Sequence, residues 1–311
     1  MQETQQPLLE IRNLRLSFRM YARALTQSDL PVLTDLRLSV RPGEIVAVVG
    51  SSGSGKSLLA SAILGILPKN AKASGEMFFR GEPLTPDRQK RLRGREIALV
   101  PQSVQFLDPL MRVGPQADGH RRPRPVEKRR ALFAQLGLPP RTERLFPFQL
   151  SGGMARRVLV STALLTDAEL LIADEPTPGM SLDQALEALR LFRSLADAGR
   201  AVVLITHDID LAVAFADRVA VFYAGTTVEI APAADFRAGA QALRHPYTQA
   251  LWRSLPQNDF APIPGFQPYA GSLPTGCVFA PRCPHRTPAC EQSAPPMRTV
   301  RGGEVRCLYG A

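Results

Sequence analysis

The sequence predicts an α/β fold whose ligands gather at the carboxyl ends of parallel strands. Three observations predict it: short apolar runs suited to buried strands, a glycine-rich turn leading from one of them into an apolar helix, and a segment of helical period joining two others. The first run is I-V-A-V-V after Glu44, ending at Val49, and the glycine-rich turn follows it directly. From Lys56 the chain reads S-L-L-A-S-A-I-L-G-I-L, a buried helix that Pro68 stops. Further strands are expected at Ile97 to Val100, Leu170 to Ala173 and Ala201 to Thr206, the last two ending in polar residues. Between those two, Leu182, Leu186, Leu189, Phe192 and Ala196 recur at helical spacing and Gly199 supplies a C-terminal cap, so that helix is a crossover.

From about Phe236 the texture changes, and from Pro256 onward the chain is crowded with proline and glycine, which reads as a small separate appendage. There is no internal repeat. With 311 residues and 45% hydrophobic content the chain suits one large domain, or one domain plus an appendage. It has no uninterrupted apolar run of membrane-spanning length, and its start, Met1 to Gln6, is polar rather than a signal peptide, which predicts a cytoplasmic protein. The net charge of +10 is concentrated in Arg88 to Arg95 and Arg121 to Arg130. A solvated face, contact with anionic lipid or a membrane partner, and nucleic acid all remain open on charge; the lack of interleaved aromatics leaves stacking on single strands unsupported. All four cysteines, Cys277, Cys283, Cys290 and Cys307, fall in the last 35 positions, which in a cytosolic chain argues for metal ligation over disulfides.

The strongest motif is Gly50-Ser51-Ser52-Gly53-Ser54-Gly55-Lys56-Ser57, a full match to G-x-x-x-x-G-K-[ST] in strand–turn–helix context. A triphosphate needs many donors aimed at one small volume. A glycine-rich turn lets backbone N–H groups approach unobstructed, and the helix N-terminus adds positive potential. Lys56 suits the β- and γ-phosphates, and the Ser57 hydroxyl suits Mg²⁺. At the end of the Leu170 strand, Asp174 fits the Mg²⁺ shell and Glu175 the base or orienter of the attacking water. His207 ends another apolar strand and is placed to hydrogen-bond a γ-phosphate. Gln102, after Val100-Pro101, offers an amide to Mg²⁺ or to the water.

Leu150-Ser151-Gly152-Gly153-Met154 resembles the signature of ABC ATPases. Together with the phosphate loop, Gln102, Asp174-Glu175 and His207, in that order, it makes residues 8–240 resemble an ABC-type P-loop ATPase domain, with a mixed sheet core and a helical subdomain at about 103–160. The resemblance implies that two such domains sandwich two ATP molecules, Ser151, Gly152 and Gly153 of one closing on the γ-phosphate held by the other. It also implies an aromatic on adenine, for which Phe18 is favoured over Tyr21.

The tail, residues 241–311, with His245-Pro246-Tyr247-Thr248 and Gly276-Cys277 through Cys283-Pro284, resembles the C-terminal extension of the peptide and nickel importer branch. That branch implies two permease subunits, a second and different ATPase chain, an extracytoplasmic substrate-binding protein, and di- or oligopeptides, nickel or metal-opine chelates as cargo. The chain would then sit on the cytoplasmic face of the membrane. Three features depart from the pattern. Met154 replaces the commoner glutamine, Ser181 falls where an interface aspartate is usual with Asp183 two residues on, and the stretch from Gln102 to Ser151 is short.

Five, six and sixteen residues separate successive cysteines, which is no standard zinc finger. Four thiolates still suit a structural zinc or an iron–sulfur cluster, against the alternative of reduced structural thiols. A nucleic-acid-associated ATPase of this class ordinarily carries two ATPase halves or a long coiled coil; one phosphate loop and no heptads favour a transporter subunit, with no nucleic acid partner. Intact Glu175 and His207 favour hydrolysis over mere ATP binding.

Overall fold

A computed structural model describes residues 6–21, 27–119 and 126–309 of the chain. Its strands are β1 (Leu9–Tyr21), β2 (Gln27–Val40), β3 (Ile45–Gly50), β4 (Ala71–Phe79), β5 (Glu82–Pro83), β6 (Ile97–Val100), β7 (Leu170–Asp174), β8 (Ala201–Ile205), β9 (Arg218–Tyr223), β10 (Thr226–Pro232), β11 (Arg298–Val300) and β12 (Gly303–Val305). They lie in the order β5-β4-β1-β2-β10-β9-β3-β8-β7-β6, with β12 on β10 and β11 on β12. The run β9-β3-β8-β7-β6 is parallel, and β5-β4-β1-β2 is antiparallel. β10 joins the two limbs, antiparallel to β9 and touching β2 in parallel at Thr226 and Asp35. This is the mixed sheet expected of the ABC fold.

The apolar runs become central strands because both of their faces are covered. Ile45, Ala47 and Val49 of β3 enter one core cluster, while Val46 and Val48 enter the other. Each such side chain stabilises the fold by about 1.5–3 kcal/mol on full burial. Register then aligns the functional ends: Val48 pairs with Ile205, Asp174 with Ile205, and Val100 with Ala173. Gly50, Asp174, His207 and Gln102 therefore leave the sheet along one edge.

The helix after the phosphate loop spans Lys56–Leu64 and stops at Gly65 in the left-handed conformation, three residues before Pro68. The crossover helix spans Leu182–Asp197 and buries Ala185, Ala188, Leu189, Phe192 and Ala196, while Leu182 stays exposed. Ser181 caps it, its hydroxyl accepting from the Gln184 amide at 3.4 Å. The residue at the usual aspartate position is thus committed to a helix start.

Much of the basic charge is structural. Arg88 donates to the Glu82 carbonyl at 2.7 Å, and Arg129 and Arg130 pair with Glu143 at 3.1 and 2.7 Å. Residues 121–125 of the second basic stretch lie outside the described residues, as do Met1 to Gln5.

The tail differs from the separate appendage expected. Its strand β12 adds to β10, and Leu243, Tyr247 and Phe279 are fully buried in the main core. The fastening is a buried carboxylate, which no apolar periodicity reveals. Glu229 of β10, 0% exposed, accepts from the Arg244 amide at 2.9 Å and the His245 amide at 2.8 Å and pairs with the Arg244 guanidinium at 3.3 Å. Arg244 reaches Asp235 at 2.8 Å and the Val300 carbonyl at 2.6 Å. Gly303 faces it with no side chain; a Cβ there would stand 2.7 Å from the guanidinium carbon.

Glu229→Ala leaves the Arg244 and His245 amides without their acceptor and takes one of two carboxylates from the buried Arg244 guanidinium, and should cost about 3–5 kcal/mol. Urea denaturation of the variant against the native chain, with limited proteolysis of the tail, checks this.

Candidate nucleotide-binding and hydrolysis site

Gly50 has φ 150°, and a Cβ on it would stand 2.2 Å from the Phe222 carbonyl of β9, so only glycine lets β3 end there. Gly55 has φ 99° and caps the following helix in the left-handed region. The turn between them brings Lys56 back over the loop, where its ammonium donates to the carbonyls of Gly50 at 2.8 Å and Ser51 at 3.1 Å. Ser54 is fully buried, whereas Ser52 and Gly53 face solvent.

The Ser57 hydroxyl donates to Asp174 Oδ1 at 3.2 Å, so two of the three residues assigned to Mg²⁺ from sequence meet across the β3–β7 gap. Burial raises the pKa of Asp174, and the neighbouring Glu175 charge adds to the rise; Ser57, Lys56 and Arg156 oppose it. Lys56 is pushed the other way, down, by its own burial, with Glu175 and Asp174 opposing. Both are the directions desolvation dictates.

Glu175 sits at φ 49°, an uncommon left-handed conformation for a residue other than glycine. Its amide donates to the Ile205 carbonyl at 2.9 Å, and its Oε2 meets His207 Nδ1 at 2.8 Å. Glu175 is buried and His207 largely exposed. Gln102, two residues past β6, is exposed.

Ser151 caps the helix Gly152–Leu164, accepting from the Met154 amide at 3.3 Å. A Cβ on Gly153 would lie 3.1 Å from the Gly179 carbonyl, which places the signature against the turn that follows Glu175. Phe18 of β1 pairs with Leu30 and Ala71 and is partly buried against the second core cluster, while Tyr21, at the end of β1, is exposed.

Three residues that sequence reasoning missed belong to this neighbourhood. Arg156, buried on the signature helix, donates to the Pro101 carbonyl at 3.2 Å, and Glu175 and Asp174 hold its charge against desolvation. Its position five residues after Ser151 carried no chemical signal. Tyr247 and Gln267 approach Ser51 from the tail, nearly 200 or more positions away in sequence.

The four cysteines also come together. Cys277, Cys283, Cys290 and Cys307 line one cavity of about 10 Å³ with His245 and Phe279, and no disulfide joins them. Burial raises the Cys277 and Cys283 thiols, and the nearby Cys290 and Cys307 add to it. Among the described residues no group of three or more His, Cys, Asp or Glu stands at metal-holding spacing, so the thiols converge without forming a ligand set.

A glycine-rich phosphate cradle with a Ser–Asp pair and a Glu–His pair on one sheet edge defines a P-loop ATPase cassette. Residues 33–178 match the ABC transporter family, and residues 228–290 match the C-terminal region of oligopeptide/dipeptide transporters. The oligopeptide transport ATP-binding protein OppD of Salmonella typhimurium is 34% identical over 321 residues, covering 97% of this chain and 93% of that protein. OppD of Escherichia coli is 33% identical over 327 residues, covering 99% and 94%. A solved dimeric ATP-binding cassette, MJ0796, in a post-hydrolysis state with ADP and Pi, superposes with a TM-score of 0.63 at 25% identity, over 72% of this chain and 98% of that one. The chain belongs to the ATP-binding subunits of ABC transporters, in the oligopeptide/dipeptide branch, and is an ATPase.

Lys56 and Glu175 should fail differently when replaced. Lys56→Ala removes a charge-assisted donor and should weaken Mg²⁺-ATP binding about 10–100-fold. Glu175→Gln should hold ATP but lose about 10²–10⁴-fold in turnover. Calorimetric binding beside a phosphate-release assay separates the two.

Proposed function

We propose that this chain hydrolyses ATP in a sandwich with a second cassette and so drives uptake of di- or oligopeptides through two permease subunits. The observation that carries the proposal is the convergence of Ser57 with Asp174 and of Glu175 with His207 on the edge where the phosphate loop opens. In this reading Gly50 to Ser57 cradle the phosphates and Lys56 leaves the Gly50 and Ser51 carbonyls for the β- and γ-phosphates. Ser57 and Asp174, with Gln102, are hard oxygen donors that suit Mg²⁺, and a divalent cation would offset the desolvation that raises the Asp174 pKa. Bound there, Mg²⁺ would neutralise charge on the β- and γ-phosphates.

Glu175 is the base or orienter of water, and its buried carboxylate is aimed by the bond to His207. A neutral His207 that donates Nδ1–H to Glu175 leaves only a lone pair on Nε2. Contact with a γ-phosphate therefore calls for an imidazolium, or for release of Glu175. Phe18 is proposed to stack on adenine, and Ser151, Gly152 and Gly153 to serve the ATP held by the partner. The exposure of Ser151 and Gly152 supports that role.

Residues 8–240 form the cassette in this reading, with residues 103–160 as its helical part and residues 241–311 as the branch-specific extension. Among the described residues no helix is long and apolar enough to cross a membrane. A peripheral position on the cytoplasmic face, under partners that span the bilayer and take cargo from an extracytoplasmic binding protein, accommodates this. Peptides are favoured over nickel or metal-opine chelates by the names of the relatives.

The cysteine cavity is proposed to hold a structural metal, zinc or an iron–sulfur cluster. Besides four thiols, the cavity is lined by His245, whose Nδ1 accepts from the Tyr247 amide at 3.0 Å, so that Nε2 carries the proton. That buried Nε2–H has no acceptor, which suits a thiolate or sulfide beside it. Among the described residues the thiols do not stand at metal-holding spacing, so either group would require them to move.

If each site needs the other cassette's signature, the isolated chain should hydrolyse slowly and accelerate on assembly with permeases and the second ATPase. Ser151→Ala should then slow the partner's site. A strictly monomeric sample already at full activity would remove the sandwich. For the cavity, Cys283→Ser should lower bound metal and loosen the tail to protease while sparing ATP binding. Elemental analysis and absorption spectra of anaerobically purified protein check it; four freely titrating thiols and no metal would leave only structural thiols.

A further inference from the structure

The phosphate loop is gripped by the tail. The Ser51 hydroxyl donates to Gln267 Oε1, and Gln267 Nε2 lies 3.8 Å from where a Cβ on Gly53 would stand. The phenol of Tyr247 faces the same residue: burial pushes its pKa up, and the side chain and backbone of Ser51 oppose that rise. Tyr247 is fully buried, its ring 4.4 Å from that of Tyr223 and 5.4 Å from that of Phe279. Tyr223 closes β9, the strand whose Phe222 lies opposite Gly50. Arg282 donates to the Tyr223 hydroxyl at 3.2 Å and to the carbonyls of Ile263 and Pro264 at 2.9 and 2.7 Å, which fixes the segment leading to Gln267. Both tail residues that meet Ser51 are thus themselves held, Tyr247 by core packing and the segment of Gln267 by a guanidinium.

We propose that Tyr247 and Gln267 are positioning residues of the ATP site, holding Ser51 so that the phosphate cradle is preformed only with the tail in place. This rests on the reading of Gly50 to Ser57 as the nucleotide loop. Gly50, Gly53 and Gly55 all have φ between 75° and 150°, so the loop backbone is intrinsically free to take other conformations. A loop left to order itself on binding loses affinity for every phosphate-bearing nucleotide, and the chemical step, once the loop is closed, is unchanged. The tail therefore acts on the site from outside the segment that contains the motifs.

Two variants separate positioning from mere folding. Gln267→Leu removes the acceptor at similar size, and Tyr247→Phe removes one hydroxyl while the ring stays in its stack. Each is expected to raise KM for ATP and Kd for ADP about 5–30-fold, the effect of one or two residues left unordered, with kcat within about twofold. In a Ser51→Ala background neither should add its full effect, because both act at Ser51. The measurements are steady-state kinetics and ADP binding on the full chain, with thermal unfolding alongside. Unchanged nucleotide constants, or effects that add fully to Ser51→Ala, would overturn the proposal, whatever happens to stability. Should Tyr247→Phe fold poorly, Gln267→Leu, on a half-buried surface segment, reports alone. Lys56→Ala is the control: if it binds nucleotide normally the loop is not the site, whereas its failure beside native-like tail variants sinks the tail's role only.

Discussion

The pairing of β3 between β8 and β9 is the constraint on which the rest depends. In that layer β3 is paired along both edges and its side chains are buried on both faces, so β3 has no freedom to slide. Its last residue meets the Phe222 carbonyl so closely that only a glycine ends it. The phosphate loop therefore starts from a fixed point with a fixed direction. The same ladder carries Asp174 and, beyond Ile205, His207 to the same edge, so the site is a consequence of register as much as of motif.

Into that edge the fold places charges of both signs under partial burial. Lys56 and Arg156 are drawn down by desolvation and Asp174 up; Glu175 and Asp174 relieve the two cations, and Ser57, then Lys56 and Arg156, relieve Asp174. In the proposed reading such a network suits an anion and a cation arriving together: a triphosphate would satisfy Lys56 and the loop amides, and a divalent ion would satisfy Asp174 and Ser57. Arg156 has a further consequence. It rides on the helix that Ser151 caps, so motion of the signature helix moves a guanidinium past both the Pro101 carbonyl and the acidic pair.

The tail is woven into this arrangement. Glu229 pairs with Arg244 and accepts from two buried backbone amides, and the aromatics Tyr223, Tyr247 and Phe279 pack on one another beside His245. Phe279 and His245 also line the cysteine cavity. Phe279 thus packs against Tyr247 on one side and borders the thiols on the other.

The sequence by itself determined the strand–turn–helix around Lys56, the apolar runs of β6, β7 and β8, the crossover helix, and the residue types of the site, because each is written in local periodicity or in a motif whose spacing is chemistry. It also determined that Asp174, Glu175 and His207 end strands. Only the tertiary structure decided that the loop helix stops at Gly65, that Leu182 faces out, that Ser181 is taken by a helix cap, and that Arg156, Tyr247 and Gln267 approach the site. The tail shows why. A buried Glu229–Arg244 pair and three aromatics drawn from separate segments carry no periodic signature. Their partners are chosen by three-dimensional packing, so a proline-rich stretch with no helical pattern read as a separate piece when it is part of the core.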